Sequence, residues 1–177
     1  MLVGGVLTPI YAEVRQTQDF DCVIDLSITD VTLAKLQKVF IKHKFQPFTT
    51  WKEVFTSGVM SGFITILSPI EQFKVDINIR KESSENPFEQ LAYLAFPRRI
   101  RIKMREIECW AQTKEDFILA KLVYGGYQDY KDALACYIRY TDSLDKEYLS
   151  HNARNLGVEE YWQAVLAQQP VDSVFPE

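Results

Sequence analysis

The stretch Arg15-Gln-Thr-Gln-Asp19-Phe-Asp21-Cys-Val-Ile-Asp25-Leu26 decides how this chain is read. From Asp19 onward polar and apolar residues alternate. Phe20, Cys22, Ile24 and Leu26 fall on one face and Asp19, Asp21, Val23 and Asp25 on the other, which predicts a β-strand. The strand rise then puts the Cβ atoms of Asp19 and Asp21 roughly 6–7 Å apart on one side, close enough to share an ion. A second run, Phe73 to Ile79, repeats the pattern, with Lys74, Asp76, Asn78 and Arg80 on its polar face. If the two strands lie side by side, Asp76 joins the pair. Two carboxylates 4 Å apart repel by about 4 kcal/mol at an effective dielectric of 20, so such a trio is costly unless a divalent cation compensates it. All-oxygen ligation favours Mg²⁺ or Mn²⁺ over zinc. On spacing alone, the D-x-D pattern also fits a solvated strand face.

Outward from this stretch, the first 111 residues read as strands alternating with helices. Met1 to Val3 ends a strand, Gly4-Gly5 makes a tight turn, and Val6 to Val14 forms a short helix interrupted early by Pro9. Asp30 is the expected N-cap of a helix carrying Leu33, Leu36, Val39 and Phe40 to about His43. Phe63 to Leu67 predicts a strand that turns at Ser68-Pro69 into the Asp76 strand, followed by a polar loop over Lys81 to Asn86. Ile100 to Met104 and Ile107 to Trp110 predict a hairpin around Arg105-Glu106. Beyond residue 111 the texture turns helical. Thr113-Lys-Glu-Asp116 has the form of a cap with an acid at its third position, opening a helix that ends at Gly125-Gly126. Helices over Asp129 to Tyr140, Asp145 to Leu156 with Gly157 as C-cap, and Glu159 to Gln168 before Pro170 complete the chain. The class is α/β (α+β), with a sheet domain over residues 1–111 and a helical C-terminal extension over 112–177.

At 177 residues, 47% hydrophobic and 25% charged, with seven Gly and seven Pro, the chain suits one compact domain or a small catalytic domain with a helical appendage. Collagen-like, low-complexity and disordered classes are excluded. Its longest apolar runs, such as Gly62 to Leu67 and Ala133 to Ile138, fall short of the roughly 18 to 20 residues of a membrane span. No basic residues open a signal peptide at the N-terminus. The expectation is a cytoplasmic protein without a membrane. Cys22, Cys109 and Cys136 lie far apart without metal-ligand spacing and read as reduced thiols. A formal charge of −4 argues against a protein that coats nucleic acid through its overall field.

Read together, Val3-Gly4-Gly5, Arg15-Gln-Thr17-Gln-Asp19-Phe-Asp21, Lys74-Val-Asp76-Ile and Lys121 followed by Lys131-Asp132 resemble the polymerase-β-like nucleotidyltransferase superfamily. The resemblance is closer to its small prokaryotic branch of abortive-infection and toxin–antitoxin nucleotidyltransferases. It covers nearly the whole chain, including Glu115 to Leu122, Leu144-Asp-Lys-Glu-Tyr-Leu149 and Leu156-Gly-Val. It implies a nucleotidyltransferase fold, a mixed twisted sheet flanked by helices and followed by the helical tail. It also implies Mg²⁺- or Mn²⁺-dependent transfer of a nucleoside monophosphate from a nucleoside triphosphate to an acceptor hydroxyl on RNA, protein or a small molecule, releasing pyrophosphate. Asp19 and Asp21 match the metal-binding pair, and Asp76 the third carboxylate that activates the attacking hydroxyl. Gly4 and Gly5 match the turn whose N–H groups approach phosphate. Arg15 and Thr17 match positions that brace the loop, and Lys121 and Asp132 the lysine and acid of the helical part. A toxin or antitoxin protein partner and an oligomer are further expectations.

Three departures stand beside the match. Gly5 replaces the serine many members carry, and no arginine precedes the acid in Gln128-Asp-Tyr-Lys131. The chain starts inside its first strand, where relatives carry a preceding helix, so either the start is trimmed or part of one sheet face is uncovered, and the second case implies a weakly stable or dimeric chain. The competing reading is a catalytically silent, antitoxin-like binding protein of the same fold. Arg99, Arg101, Lys103 and Arg105 alternate with Ile100, Ile102 and Met104, either as a track for triphosphate or RNA or as a guarded sheet edge. Tyr124, Tyr127, Tyr130, Tyr137 and Tyr140 suit a helix packed on the sheet domain. His43 and His151 read as surface residues, Asp129 as a cap or surface charge, and Asp25 as a strand-end acid.

Overall fold

The computed structural model describes residues 1–17, 19–27, 32–69, 73–80 and 86–176. Among these residues seven strands, β1 (Leu2–Val3), β2 (Asp19–Ile24), β3 (Gln46–Pro47), β4 (Phe63–Leu67), β5 (Lys74–Ile79), β6 (Ile100–Met104) and β7 (Ile107–Ala111), form one sheet in the order β3-β4-β5-β2-β1-β7-β6. The sheet is mixed. β2 pairs parallel with β5 and β1 parallel with β7, while β1–β2, β3–β4, β4–β5 and β6–β7 are antiparallel. Among the described residues nine α-helices accompany it: α1 (Thr8–Tyr11), α2 (Leu33–Lys42), α3 (Trp51–Ser61), α4 (Pro87–Arg98), α5 (Lys114–Tyr124), α6 (Tyr127–Tyr140), α7 (Lys146–Asn155), α8 (Glu159–Leu166) and α9 (Val171–Val174). None is long and apolar enough to cross a membrane.

The α/β class is as expected, and several elements begin or end where the sequence placed them. Asp19 opens β2, the β6–β7 hairpin turns at Arg105 with φ 55°, and the Thr113 side chain caps α5 by accepting from the Asp116 N–H. The Gly4-Gly5 turn is the first part of a 3₁₀ turn over Gly4–Leu7 that leads into α1. Three helices, α3, α4 and α9, have no counterpart in the sequence reading. α3 opens on a capping box between Thr50 and Glu53, and α4 on an Asn86 cap followed by Pro87. Thr32, not Asp30, caps α2; Asp30 and residues 81–85 of the expected polar loop lie outside the described residues.

Apolar residues on one sheet face, including Ile64, Ile66 and Ile77, pack under α2 and α3. Leu2 and Ala111 on the same face pair across β1 and β7 and join a larger core built from α1, α5, α6, α7 and α8 around Phe117, Tyr130 and Trp162. One core therefore spans residue 111 and ties the tail to the sheet. On the opposite face α4 lays Ala92 and Phe96 over Val23, with Met1 and Val3 at the margin. The β1–β2 region thus has cover on both faces. The polar residues of β2 and β5 lie beside that patch of α4, on the face that carries the cleft.

Candidate functional site

Strand register builds the centre of the site. β2 and β5 run parallel with Asp19 opposite Lys74 and Asp21 opposite Asp76, so four charged side chains stand on one face of two neighbouring strands. On the far side of β5, Thr65 of β4 faces Asp76 and donates its hydroxyl to Oδ1 at 2.7 Å. Lys74 Nζ lies 3.1 Å from Asp19 Oδ1 and 3.9 Å from Asp76 Oδ2. Burial, reinforced by the Asp76 and Asp19 carboxylates, pushes the Asp21 carboxyl above its ordinary value, although the Gly5 N–H donates to it. Negative charge is therefore concentrated and only partly compensated.

These residues open into a cleft of about 560 Å³, lined among others by Gly4, Gly5, Arg15, Thr17, Asp19, Asp21, Asp76, Lys121, Tyr124 and Asp129. Seven of the eight residues expected from the sequence line it: Gly4, Gly5, Thr17, Asp19, Asp21, Asp76 and Lys121. The eighth, Asp132, sits directly behind. Lys121 is 6% exposed, and its ammonium lies 2.8 Å from Asp132 Oδ2 and 2.6 Å from Asp129 Oδ1. Arg15 reaches the same Asp132 oxygen at 3.0 Å, and Gln128 donates to Asp132 Oδ1 at 2.9 Å. Burial opposes ionisation of Asp132, but Lys121, Arg15 and Gln128 outweigh it and hold the carboxyl below its ordinary value.

The glycine turn has a steric reason that the sequence did not reveal. At Gly4, with φ +68°, a Cβ would collide with the Asp21 carboxylate, and at Gly5 a Cβ would come within 2.7 Å of Thr17 Oγ1. The turn is therefore pressed onto Asp21 and Thr17 themselves, and Thr17 in turn donates to the Asp19 carbonyl at 3.2 Å. Gly5→Ser is accordingly expected to lower the melting temperature of the chain, and adding Thr17→Gly, which clears the space, should recover most of the loss; thermal unfolding of the two variants checks this.

Three side chains depart from the sequence reading: Asp129, Tyr124 and Tyr127, the last 50% exposed on α6. Asp129 is a cleft residue paired with Lys121, because α6 begins at Tyr127, earlier than expected, and turns Asp129 toward α5. Tyr124 is 55% exposed and lines the cleft instead of joining the core; Phe88 of α4 packs against it at 5.2 Å between ring centroids. Thr65 and Phe63 also belong to this face, and their alternation along β4 was the signal that could have found them. Tyr130 and Tyr137 are buried in the core as expected. Asp25 is the strand-end acid it was read as, closed by Arg80 at 2.6 Å. The Arg99 to Arg105 cations lie on and around β6, an edge strand, outside the cleft lining. Arg99 and Arg101 pack on the Trp110 ring at 4.8 and 4.6 Å, and Arg101 also pairs with Glu108.

The donor set suits a hard divalent cation: three carboxylates, one of them with an enclosed oxygen, Asp19 Oδ1, that faces the Lys74 ammonium at 3.1 Å. Among the described residues no three acidic, histidine or cysteine side chains stand ready-made as a metal cage. The Lys74 ammonium sits where the carboxylates of the two strands meet. Compared with known proteins, the chain matches no family model and no curated protein.

Proposed function

We propose that this chain is a cytoplasmic nucleotidyltransferase of the polymerase-β-like fold, transferring a nucleoside monophosphate from a nucleoside triphosphate to an acceptor hydroxyl. The observation that supports the reading is the register of Asp21 with Asp76 beside Asp19, in a cleft that also holds the glycine turn and Lys121. Asp19, Asp21 and Asp76 would hold Mg²⁺ or Mn²⁺. Such ions, when bound, supply charge neutralisation at the transferring phosphate and lower the pKa of an attacking hydroxyl. Asp76, oriented by Thr65, accepts the acceptor's proton. The new bond joins the acceptor oxygen to the α-phosphorus, the bond from that phosphorus to the bridging oxygen breaks, and pyrophosphate leaves. Lys121, fixed between Asp129 and Asp132, faces the polyphosphate with a charge whose position needs no reorganisation.

Tyr124 lies one helical turn beyond Lys121 on the same face of α5, so a phosphate at Lys121 brings the nucleobase within reach of the Tyr124 ring. Base stacking on an aromatic ring contributes about 1–3 kcal/mol, so Tyr124→Ala should weaken nucleotide binding roughly tenfold and leave Mn²⁺ affinity unchanged. Calorimetry with each ligand separates the two.

The test of the reading is incubation with each α-labelled nucleoside triphosphate, Mg²⁺ and a cell extract, followed by identification of the labelled fraction as RNA, protein or small molecule. Label transfer that disappears in Asp19→Ala/Asp21→Ala supports it. Metal-dependent nucleotide binding without transfer to any fraction would favour the antitoxin-like binding protein, and no such binding would defeat the enzyme reading.

A further inference from the structure

The Lys74 side chain is the one element of the carboxylate centre that the proposed chemistry does not employ. It stands on β5 directly opposite Asp19 and two residues from Asp76, on their shared face. Its ammonium lies 3.1 Å from Asp19 Oδ1 and 3.9 Å from Asp76 Oδ2, and so bridges the two strands that carry the acids. Asp19 Oδ1 is enclosed, and the Lys74 ammonium is the cation this oxygen faces. The other polar contacts of the group are fixed elsewhere: Thr65 holds Asp76 Oδ1, and the Gly5 N–H serves Asp21. The Lys74 side chain is itself 48% exposed, with four methylenes and open solvent to swing into.

We infer that Lys74 is a built-in counter-ion of the Asp19–Asp21–Asp76 centre, which a divalent cation displaces from the carboxylates when it binds. The inference rests on the reading of these acids as a divalent-cation site. A bound divalent ion and an ammonium compete for the same oxygens, and the ammonium, on its four-methylene tether, can swing aside into solvent. The metal-free centre is thereby kept from the full repulsion of three acids, at the expense of cation affinity. Metal loading becomes an exchange of one cation for another, which sets the concentration at which the site fills.

Mn²⁺ binding to the full chain, followed by the electron paramagnetic resonance of the free ion, tests this in the parent, Lys74→Met and Asp19→Ala/Asp21→Ala proteins. Lys74→Met should bind Mn²⁺ at least threefold more tightly, and the double alanine variant should not bind. In parallel, the lysine ammonium ¹⁵N resonance that vanishes in Lys74→Met should shift in the parent protein when Mg²⁺ is added. Equal Mn²⁺ affinity in Lys74→Met and parent overturns the inference and leaves the metal site standing. Tighter binding with an unmoved Lys74 resonance overturns displacement in favour of a field effect of the charge alone. No Mn²⁺ binding in any of the three proteins overturns the inference and the metal site together.

Discussion

Asp21→Asn should lose the proposed metal-dependent nucleotidyl transfer by at least about 10³-fold while the metal-free protein becomes harder to melt. The loss follows from position. Asp21 is the middle acid, two residues from Asp19 on its own strand and directly opposite Asp76 on the next. A metal centre contributes several kcal/mol of transition-state stabilisation, and each 1.4 kcal/mol is a factor of ten. The gain follows from the charge. The folded-state pKa of Asp21 is raised, first by burial and then by Asp76 and Asp19, so its ionised form costs stability at neutral pH. That cost is relieved as pH falls through the raised value. An amide at position 21 removes it outright and still offers an oxygen to the Gly5 N–H. Thermal unfolding without metal should therefore give a higher Tm for Asp21→Asn than for the parent. Adding Mn²⁺ should raise only the parent's Tm, since stabilisation by ligand requires a site. A variant that keeps transfer within tenfold of the parent would sink the three-acid reading.

Lys121→Met should damage both activity and fold, and the two losses have different pH behaviour. Removing a preorganised cation aimed at developing phosphate charge costs roughly 10²–10³ in rate, by analogy with the loss of one oxyanion donor. For the fold, Lys121 is 6% and Asp132 2% exposed, so the substitution strips one partner from a buried pair. Breaking such a pair costs about 3–5 kcal/mol when the remaining charge is uncompensated. Here Arg15 and Gln128 still hold Asp132, and Asp129 can turn to solvent, which brings the expected cost to about 2 kcal/mol. The folded-state pKa of Asp132 is depressed, so its contribution is present above the ordinary carboxylate pKa and is lost as pH falls through the depressed value. Urea unfolding should show parent and variant well separated at pH 7 and converging at the acid end. A gap that persists unchanged at acid pH would mean that lost side-chain packing, not the ion pair, is responsible.

The sheet was legible in the sequence wherever alternation was clean. Asp19 to Ile24, Phe63 to Leu67 and Lys74 to Ile79 carry period-two patterns because one face must be apolar and the other meets the cleft. α3 and α4 were not. Gly58 packs against Ile64 in the middle of α3, and Pro97 sits in the last turn of α4, so each helix carries a residue that normally breaks one. Their start signals, Thr50 with Glu53 and Asn86 before Pro87, were nonetheless present. The acids of the cleft could be named because strand periodicity sets their side; the Lys121–Asp129–Asp132–Arg15 cluster could not be assembled. It depends on the angle at which α6 turns back on α5 and on a loop residue more than a hundred positions earlier, neither of which a local pattern encodes.

That last dependence has a consequence for the order in which the molecule becomes competent. The contact between Arg15 and Asp132 spans 117 residues, and the Tyr140 hydroxyl reaches the Ile10 carbonyl across 130. Closing such spans costs more chain entropy than forming the local helices and hairpins. During synthesis the acids of β2 and β5 emerge well before α5 and α6, so a nascent chain carries the charged strand face without the lysine that completes it. The cleft is therefore complete only once the C-terminal helices have left the ribosome and docked, and a chain cut before Asp132 keeps the acids without the completed cleft.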